Sequence, residues 1–246
     1  MDNKVFVMAI GAHPDDVELG CAGTLLNHIN NNQKVAIVDL TQGELGSRGT
    51  IATRYAEAAA AQKIMGVHYR YNLKMEDGFF EHNRENVIKL AQLIRKHRPE
   101  VLIANAPEDR HPDHGRAGKL IRDAAFLSGL RKIETEWDGT LQEPWRPRKV
   151  FHYIQDKFLE PDFIVDISSS MEQKMKAVGA YHTQFFAEKN DDEPITYISS
   201  DGFLNKIRNR AAQLGSRIGV EYGEGFISEF SLGVKDLNYF IYPEFP

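Results

Sequence analysis

The chain has 246 residues and a formal net charge of −5, and apolar residues make up 42% of it. This apolar content excludes a disordered chain, and the mildly acidic balance argues against a nucleic-acid partner. The single cysteine, Cys21, excludes an internal disulfide. Because no apolar run approaches the roughly 18–20 residues of a membrane span, we expect a soluble, cytoplasmic protein without a membrane partner.

Short runs rich in β-branched residues alternate with longer segments of helical period in the first half of the chain. The predicted strands are 5–10, 34–41, 67–73 and 101–105, and the predicted helices are 16–30, 52–65, 84–97 and 115–127. This alternation is typical of βαβ units and a parallel sheet. The continuous apolar strands indicate a sheet covered on both faces. We therefore predict an α/β fold with a Rossmann-like, mostly parallel sheet flanked by helices.

The second half of the chain is less regular. Residues 137–149 are rich in proline, tryptophan and charge, which predicts a loop or an edge excursion. Further predicted elements are strands 150–155 and 163–168, a helix from about 168–170 to 180, an exposed acidic loop at 190–193, and a helix over 203–214. Since no internal repeat or linker interrupts the pattern, we expect a single domain over 1–246.

Two histidine-rich segments each follow a predicted strand. The first is Ala-His-Pro-Asp-Asp at 12–16, and the second is Arg-His-Pro-Asp-His at 110–114. Because the carboxyl ends of parallel strands form the ligand crevice of an open sheet, we expect both segments to open on the same crevice. Together they supply three imidazoles and three carboxylates.

This set of side chains is suited to a divalent metal. Two histidines and one aspartate can hold a catalytic zinc and leave one position for water. A further carboxylate can then act as general base, and a further histidine can stabilise an oxyanion. The same donors also suit Fe(II), so they do not define the metal. A lone His-Pro-Asp segment is commonly a structural cap of a turn, but two copies after strands of one sheet favour a metal site.

The two segments, with Glu18 and Gly20, resemble the LmbE-like (PIG-L) family of zinc-dependent deacetylases that act on N-acetylglucosamine derivatives. Further segments that carry the resemblance are 41–46, Arg54 with Glu57, 182–184, 219–222 and 224–226. Length and motif spacing are most similar to the bacillithiol-biosynthesis branch, which deacetylates N-acetylglucosaminyl-malate. The resemblance implies a homo-oligomeric enzyme that hydrolyses the acetamide of a small amino sugar to acetate and a free amine.

The resemblance also implies roles for the residues of the two segments. It implies three zinc ligands, which are His13, Asp16 and His114. It implies that Asp15 is the general base and that His111 acts at the transition state, oriented by Asp113. Fe²⁺ or another divalent metal is the alternative to Zn²⁺.

Three further residues are candidates for substrate binding. Glu44, in a glycine-rich loop, is expected to bind sugar hydroxyls, and the alternative is an exposed loop acid. Arg54 lies at the start of a helix, where the helix dipole disfavours a cation, so a role facing the ligand gains support. Arg110 is suited to a bidentate contact with a substrate carboxylate. Its alternative is a salt bridge to Glu108 or Asp109.

Two other classes of function are compatible with parts of the sequence. A nucleotide-binding oxidoreductase or transferase would suit the sheet alone, but Gly-Ala-His-Pro at 11–14 replaces the glycine-rich turn that such proteins carry after the first strand. A carbohydrate-binding protein without hydrolase activity would be expected to lack the base or a ligand, and this sequence retains all of them. We therefore expect a metal-dependent amidohydrolase.

Overall fold

The computed structural model describes residues 3–186, 194–200 and 202–242. The strands are β1 Val7–Gly11, β2 Val35–Thr41, β3 Tyr69–Met75, β4 Val101–Ala104, β5 Glu136–Trp137, β6 Thr140–Leu141, β7 Lys149–Tyr153, β8 Phe163–Asp166 and β9 Gly223–Ser228. The helices are α1 Asp16–Asn30, α2 Ile51–Met65, α3 Arg84–His97, α4 Pro112–Leu127, α5 Met171–Gly179, α6 His182–Phe185 and α7 Phe203–Ser216. The acidic loop predicted at 190–193 lies outside the described residues.

A seven-stranded sheet forms the centre of the structure, with the strand order β3-β2-β1-β4-β7-β9-β8. The five strands from β3 to β7 pair in parallel. Strand β9 is antiparallel to both of its neighbours, β7 and β8. The predicted α/β class with a mostly parallel, Rossmann-like sheet is therefore confirmed. Among the helices of the described ranges, none is both long and apolar enough to cross a membrane.

The two faces of the sheet carry separate apolar cores. Every residue of β1 and β2 is buried. Within β1, Met8 and Ile10 belong to the core that includes α3 and α4. Val7 and Ala9 belong to the core on the opposite face, which includes α1. This two-sided burial explains why the strands are continuously apolar, and it fixes the loops that follow them at one edge.

Strand β9 was not predicted from the sequence. Its residues include two glycines, one glutamate and one serine, which have low strand propensity. The glycines are required by packing: a Cβ on Gly223 would lie 2.6 Å from Cγ2 of Ile164 on β8. The segment is a strand because it fills the space between β7 and β8, which its composition alone does not indicate.

The region 137–149 was predicted to be a loop or an edge excursion. Part of it forms a short antiparallel hairpin in which β5 pairs with β6. Asp138 and Gly139 connect the two strands with φ of 49° and 74°. Positive φ at both turn residues is typical of a type I′ turn, for which Asp-Gly is a favoured sequence.

Helix α1 is interrupted at Cys21, whose backbone is not helical (φ −147°, ψ 16°). Glu224 of β9 accepts hydrogen bonds from the N–H groups of Gly23 (2.9 Å) and Thr24 (2.7 Å). The Nζ of Lys174 on α5 lies 2.6 Å from the same carboxylate. These contacts satisfy N–H groups just past the interruption, and they tie β9 and α5 to the helix that begins at the histidine-rich segment.

Candidate active site

The loops that follow β1 and β4 meet at the carboxyl edge of the sheet, as the two predicted segments require. They line a cavity of about 290 Å³. The predicted site residues in its wall are His13, Asp15, Asp16, Arg54, Arg110, His111 and His114. The structure therefore brings together side chains that are up to about a hundred positions apart in the sequence.

Asp16 occupies the centre of the site. Its Oδ1 accepts hydrogen bonds from Nε2 of His114 (3.2 Å) and Nε2 of Gln155 (2.8 Å). Its Oδ2 accepts from the backbone N–H of His13 (3.0 Å) and from Nδ2 of Asn105 (3.1 Å), and it lies 3.5 Å from Nδ1 of His13. The carboxylate is thus held between two imidazoles. Burial alone would raise the pKa of Asp16, but His114 and His13 hold it well below its usual value.

His114 is held by a second carboxylate. Its Nδ1 lies 2.7 Å from Oδ2 of Asp109, so the other ring nitrogen, Nε2, faces Asp16. A histidine that donates one ring N–H to a carboxylate is the arrangement typical of a metal ligand. Burial lowers the pKa of His114, but the negative charge of Asp16 and the hydrogen bond to Asp109 outweigh this and raise it to about 9.

His13 faces two further carboxylates across the cavity. Its Nε2 lies 3.0 Å from Oδ1 of Asp77 and 3.3 Å from Oδ2 of Asp113. Burial would lower the pKa of His13, but hydrogen bonds to surrounding carboxylates, first that of Asp113, raise it well above its usual value. The cluster therefore has a strongly negative potential at the two histidines.

Asp113 was predicted to orient His111, and it contacts that ring through its backbone N–H, whereas its carboxylate faces other partners. The Asp113 carboxylate contacts His13 and accepts hydrogen bonds from the N–H of Gly78 (2.8 Å) and from Nη1 of Arg116 (2.8 Å). Its contact with His111 is through the backbone: the N–H of Asp113 donates to Nδ1 of His111 (3.2 Å). The physical reason is that His111 is the N-cap of α4 and satisfies a free N–H of the first turn.

His111 is oriented by this cap. Because Nδ1 accepts a hydrogen bond, the ring proton of the neutral imidazole is on Nε2, which is then a donor. Burial and the positive charges of His13 and His114 lower the pKa of His111, which favours this neutral form. Its ring centroid lies 4.7 Å from that of His13 and 5.3 Å from that of His114. His111 therefore presents an N–H donor beside the other two imidazoles.

Asp15 lies next to the cluster and has a separate environment. Its backbone has φ 113°, in the region that favours glycine. Its buried carboxylate lies 2.9 Å from Nη1 of Arg54. Burial raises the pKa of Asp15 to about 6, although the Arg54 guanidinium opposes the increase. Asp15 thus supplies a carboxylate that is held apart from the two imidazoles flanking Asp16.

Arg54 was predicted to face the substrate, and the structure commits it to the site itself. Only 6% of the residue is exposed. Its Nη1 donates both to Asp15 and to the carbonyl oxygen of Pro14 (3.0 Å). The loop approaches it closely at Gly43, where a Cβ would lie 3.3 Å from Nε of Arg54. Arg54 thus lines the cavity and holds Asp15 through Nη1, and its contact with a substrate stays a prediction.

The other two predicted substrate residues also have protein partners. Glu44 accepts hydrogen bonds from the backbone N–H groups of Asp77 (2.9 Å) and Gln42 (3.2 Å), so its carboxylate ties the loops after β2 and β3 together. Each oxygen retains a second lone pair, so the predicted contact of Glu44 with sugar hydroxyls stays a prediction. Arg110 pairs with Asp156, an acid that follows β7, rather than with Glu108 or Asp109.

Among the described residues, sequence reasoning missed four polar side chains that contact His13, Asp16 or His114. They are Asp77, Asn105, Asp109 and Gln155. Each follows the carboxyl end of a parallel strand, and this position is the signal that could have identified them. Asp109 also lies only five residues before His114 in the sequence, and the two side chains are in contact in the structure.

The donor atoms of the site suit a divalent metal. Among the described residues, two sets of three side chains each have donor atoms within 4.8 Å of one another: His13, His111 and His114, and His13, Asp77 and Asp113. The Asp16 carboxylate lies between His13 and His114 as well. Mixed imidazole and carboxylate donors are suited to zinc and to iron. The negative potential that raises the pKa values of His13 and His114 is the potential that a bound cation would neutralise.

Fold and site together define an α/β protein with a candidate metal centre at the carboxyl edge of its sheet. The family model described as GlcNAc-PI de-N-acetylase (PIG-L) matches residues 8–125, which run from β1 to the last turns of α4. The chain belongs to the PIG-L family. The resemblance carried by the two histidine-rich segments is thereby confirmed.

Individual relatives share the family but differ in substrate. The diacetylchitobiose deacetylase of Thermococcus kodakarensis is 30% identical over 73% of this chain and 70% of its own length. A probable N-acetyl-α-D-glucosaminyl L-malate deacetylase of Bacillus subtilis is 25% identical over 74% of this chain and 84% of its own. A conserved protein from Thermus thermophilus, known from its crystal structure, is 36% identical in sequence to this chain. The two structures have a TM-score of 0.83, and the match covers 94% of this chain and 98% of that one. These identities do not single out the malate branch.

Proposed function

We propose that this chain is a metal-dependent hydrolase that removes the N-acetyl group from an N-acetylglucosamine derivative. The observation that carries the proposal is the arrangement at the carboxyl edge of the sheet. There, Asp16 lies between His13 and His114, and a separate carboxylate, that of Asp15, lies beside them. Membership of the PIG-L family supports the same reaction.

The proposed metal ligands are His13, Asp16 and His114, with Zn²⁺ as the metal and Fe²⁺ as the alternative. When bound, such a metal polarises the acetamide carbonyl and makes water more acidic. Support for Asp16 comes from its position within hydrogen-bond distance of His114. The Asp109 carboxylate on the far side of His114 supports a ligand role for that imidazole.

Asp15 is the proposed general base. Its carboxylate takes a proton from the attacking water as the new C–O bond forms, and it returns that proton to the nitrogen as the C–N bond breaks. The products are acetate and a free amine. Arg54 keeps the carboxylate pointed into the cavity through its 2.9 Å contact.

His111 is proposed to stabilise the oxyanion that develops on the acetyl oxygen. Its Nε2–H is a neutral donor, because Nδ1 accepts the N–H of Asp113. A neutral N–H donor directed at a developing charge is worth about 10²–10³ in kcat. The carboxylate of Asp113 then acts on His13, whereas its backbone N–H acts on His111.

N-acetylglucosaminyl-malate is the leading substrate in this proposal, which would place the enzyme in bacillithiol biosynthesis. The resemblance in length and motif spacing and the matched malate deacetylase support this choice. Diacetylchitobiose is the second candidate, because the relative that bears its name is 30% identical.

The test of the activity is mass spectrometry of both substrates after incubation with the zinc-loaded protein. We expect loss of one acetyl group, no reaction after treatment with a chelator, and recovery when Zn²⁺ is added back. Full activity in metal-free protein would contradict the metal dependence. Failure to deacetylate either substrate, or a third N-acetylglucosaminide, would contradict the proposed reaction.

The ligand assignment is tested by elemental analysis of single variants. His114→Ala and Asp16→Ala are expected to lose metal, because each removes a proposed ligand. His111→Ala is the matched control, since it removes an imidazole of the same cluster and is expected to keep its metal. Full metal content in His114→Ala together with loss in His111→Ala would replace the proposed set by one that contains His111.

A further inference from the structure

A second, smaller cavity lies behind the rim of the candidate active site. Its volume is about 60 Å³. The two cavities share the wall residues Leu19, Arg110, His114, Gln155, Tyr197 and Ile198. The far wall of the smaller cavity is formed by α7, which contributes Lys206 and Arg210. The smaller cavity is therefore the neighbour of the space in which a substrate of the proposed reaction would lie.

Two arginines contact Asp156 at this rim, and a lysine lies against the tyrosine that binds the same carboxylate. Asp156 pairs with Arg110 through Oδ2 and accepts the hydroxyl of Tyr197 at Oδ1 (3.0 Å). Arg210 donates from Nη2 to the backbone oxygen of Asp156 (2.9 Å) and stays 3.9 Å from its carboxylate. Lys206 lies against the Tyr197 ring, with Nζ 4.6 Å from the centroid. Arg110 contacts the same ring, at 4.8 Å.

The rim carries an excess of positive charge in a chain whose net charge is −5. Among the described residues that line the smaller cavity, the three cations Arg110, Lys206 and Arg210 are balanced by one carboxylate, that of Asp156, which leaves an excess of two positive charges in this wall. Lys174 and Glu224, in the same wall, neutralise each other at 2.6 Å. A cationic rim beside an otherwise acidic site attracts anions to this one side of it.

We propose that Lys206 and Arg210 of α7, together with Arg110, bind an anionic group on the aglycone of the substrate. The group is a carboxylate or a phosphate attached to the amino sugar on the side away from the acetamide. This inference rests on the proposed deacetylase function and adds to it the residues that determine specificity. Arg54 is not part of this subsite, because it lines the larger cavity and is not among the described residues that line the smaller one.

The chemistry of the three side chains suits this ligand. A guanidinium binds a carboxylate or phosphate in a bidentate geometry, and a lysine adds a mobile point charge. Arg210 is partly exposed, with 30% of its side chain accessible, and Arg110 is 55% accessible. Both can therefore reach a ligand while the Tyr197 ring stays in contact with Arg110 and Lys206.

The experiment compares kcat/KM for anionic and neutral N-acetylglucosaminides. The anionic substrates are N-acetylglucosaminyl-malate and N-acetylglucosamine 1-phosphate, which separate a carboxylate from a phosphate, and the neutral one is the methyl glycoside. We expect wild type to prefer an anionic substrate and the ratio of anionic to neutral kcat/KM to fall by about 10–150-fold in Arg210→Met, the range for loss of one charge-assisted contact. Lys206→Met is expected to lower the ratio less, because this lysine is exposed.

Arg208→Met is the matched control. Arg208 lies on the same helix, pairs with Glu172 (2.6 Å) and is not among the described residues that line either cavity, so the ratio is expected to stay at its wild-type value. Lys206→Met changes an exposed side chain and keeps the test open if Arg210→Met does not fold. Equal treatment of anionic and neutral substrates by wild type, or an unchanged ratio in the folded cavity variants, would overturn the proposed subsite alone. No turnover of any of the three substrates would instead count against the proposed function.

Discussion

At the scale of a single residue, Asp15 combines a glycine-like backbone with a side chain that glycine lacks. Its φ of 113° costs about 1–3 kcal/mol for a residue that carries a Cβ. That backbone is the turn from β1 into α1, and it directs the carboxylate at Arg54. Strain of this kind persists where the surrounding structure enforces it, and here it places the proposed base.

We therefore predict that the glycine and alanine variants of Asp15 differ in stability but lose the same catalytic function. The free energy of unfolding of Asp15→Gly should exceed that of Asp15→Ala by about 1 kcal/mol or more, because glycine adopts this φ without strain. Both variants should keep their metal and lose about 10²–10⁴ in kcat, the usual contribution of a general base. Denaturant unfolding, elemental analysis and steady-state kinetics measure the three quantities. Near-wild-type kcat in metal-loaded Asp15→Ala would refute the assignment of the base.

A second prediction at this scale concerns Asp109, which contacts His114 and not the proposed metal position. Asp109→Asn should weaken metal affinity by about 10–100-fold, because the imidazole loses the carboxylate that orients it. Competition with a chromophoric chelator measures the affinity. Glu108→Gln is the control, since Glu108 is the neighbouring acid and pairs with Lys157 at the surface. Equal affinities for the two variants would show that Asp109 has no such role.

At the scale of elements, the interruption of α1 depends on strand β9. Glu224 is buried and accepts N–H groups of Gly23 and Thr24, and Lys174 supplies its counter-charge. A buried ion pair is sensitive to the loss of one partner, because the remaining charge is then uncompensated. The contact therefore couples α1, α5 and β9 as one unit.

Lys174→Met should destabilise the fold by about 3–5 kcal/mol, the cost of leaving one charge of a buried pair alone. The double variant Lys174→Met with Glu224→Gln should recover part of this loss, because no charge is then buried. Urea unfolding of both single variants and the double variant completes a double-mutant cycle. Strictly additive effects would show that the two side chains do not interact energetically.

The packing of α3 predicts a pH dependence of stability. His97, at its last residue, is fully buried, with Nδ1 2.8 Å from the carbonyl oxygen of Asn3 and Nε2 2.9 Å from the hydroxyl of Tyr71. These contacts suit a neutral ring. Burial holds its pKa below the ordinary value of 6.5.

Because the folded-state pKa is the lower one, the unfolded chain binds the proton first as pH falls. The stability that neutral His97 contributes is thus complete about one pH unit above 6.5 and decreases as pH falls through that value, by at most about 1.4 kcal/mol per pH unit. Relative to His97→Gln, which does not titrate, wild type should lose unfolding free energy between about pH 7.5 and 5.5. A difference that is constant with pH would contradict this expectation.

At the scale of the whole molecule, the sequence predicted the parallel half of the sheet and most of the side chains that gather in the candidate site. Apolar β-branched runs alternate there with helices, and both histidine-rich segments follow such runs. Strand β9 was not predicted, because glycine has low strand propensity. Gly223 is required here by its close contact with β8, which the local sequence does not indicate. The contacts of the site residues were not predicted for a related reason. Asp156 contacts Arg110, and Asp113 contacts His13, only because tertiary packing brings distant parts of the chain together.

A metal at this edge should stabilise the entire fold. The donors come from loops after β1 and β4, and Gln155 after β7 holds Asp16, so binding joins segments that unfolding separates. At a metal concentration about 100 times Kd, the gain is about 2.7 kcal/mol. Thermal unfolding with Zn²⁺ and with chelator should therefore show a higher Tm with metal, and His114→Ala should show no such difference. Identical Tm values for wild type under both conditions would contradict a site in the folded state.

The placement of β9 has a consequence for the order of events during synthesis. On the ribosome, β8 emerges before β9, yet β8 joins the sheet only through β9. Until residues 223–228 are available, β8 has no strand to pair with and β7 remains an open edge. The N–H groups of Gly23 and Thr24 likewise lack the Glu224 carboxylate as acceptor until β9 is present. The nascent parallel half can therefore assemble early, whereas the interior of the sheet is closed by a strand that arrives late.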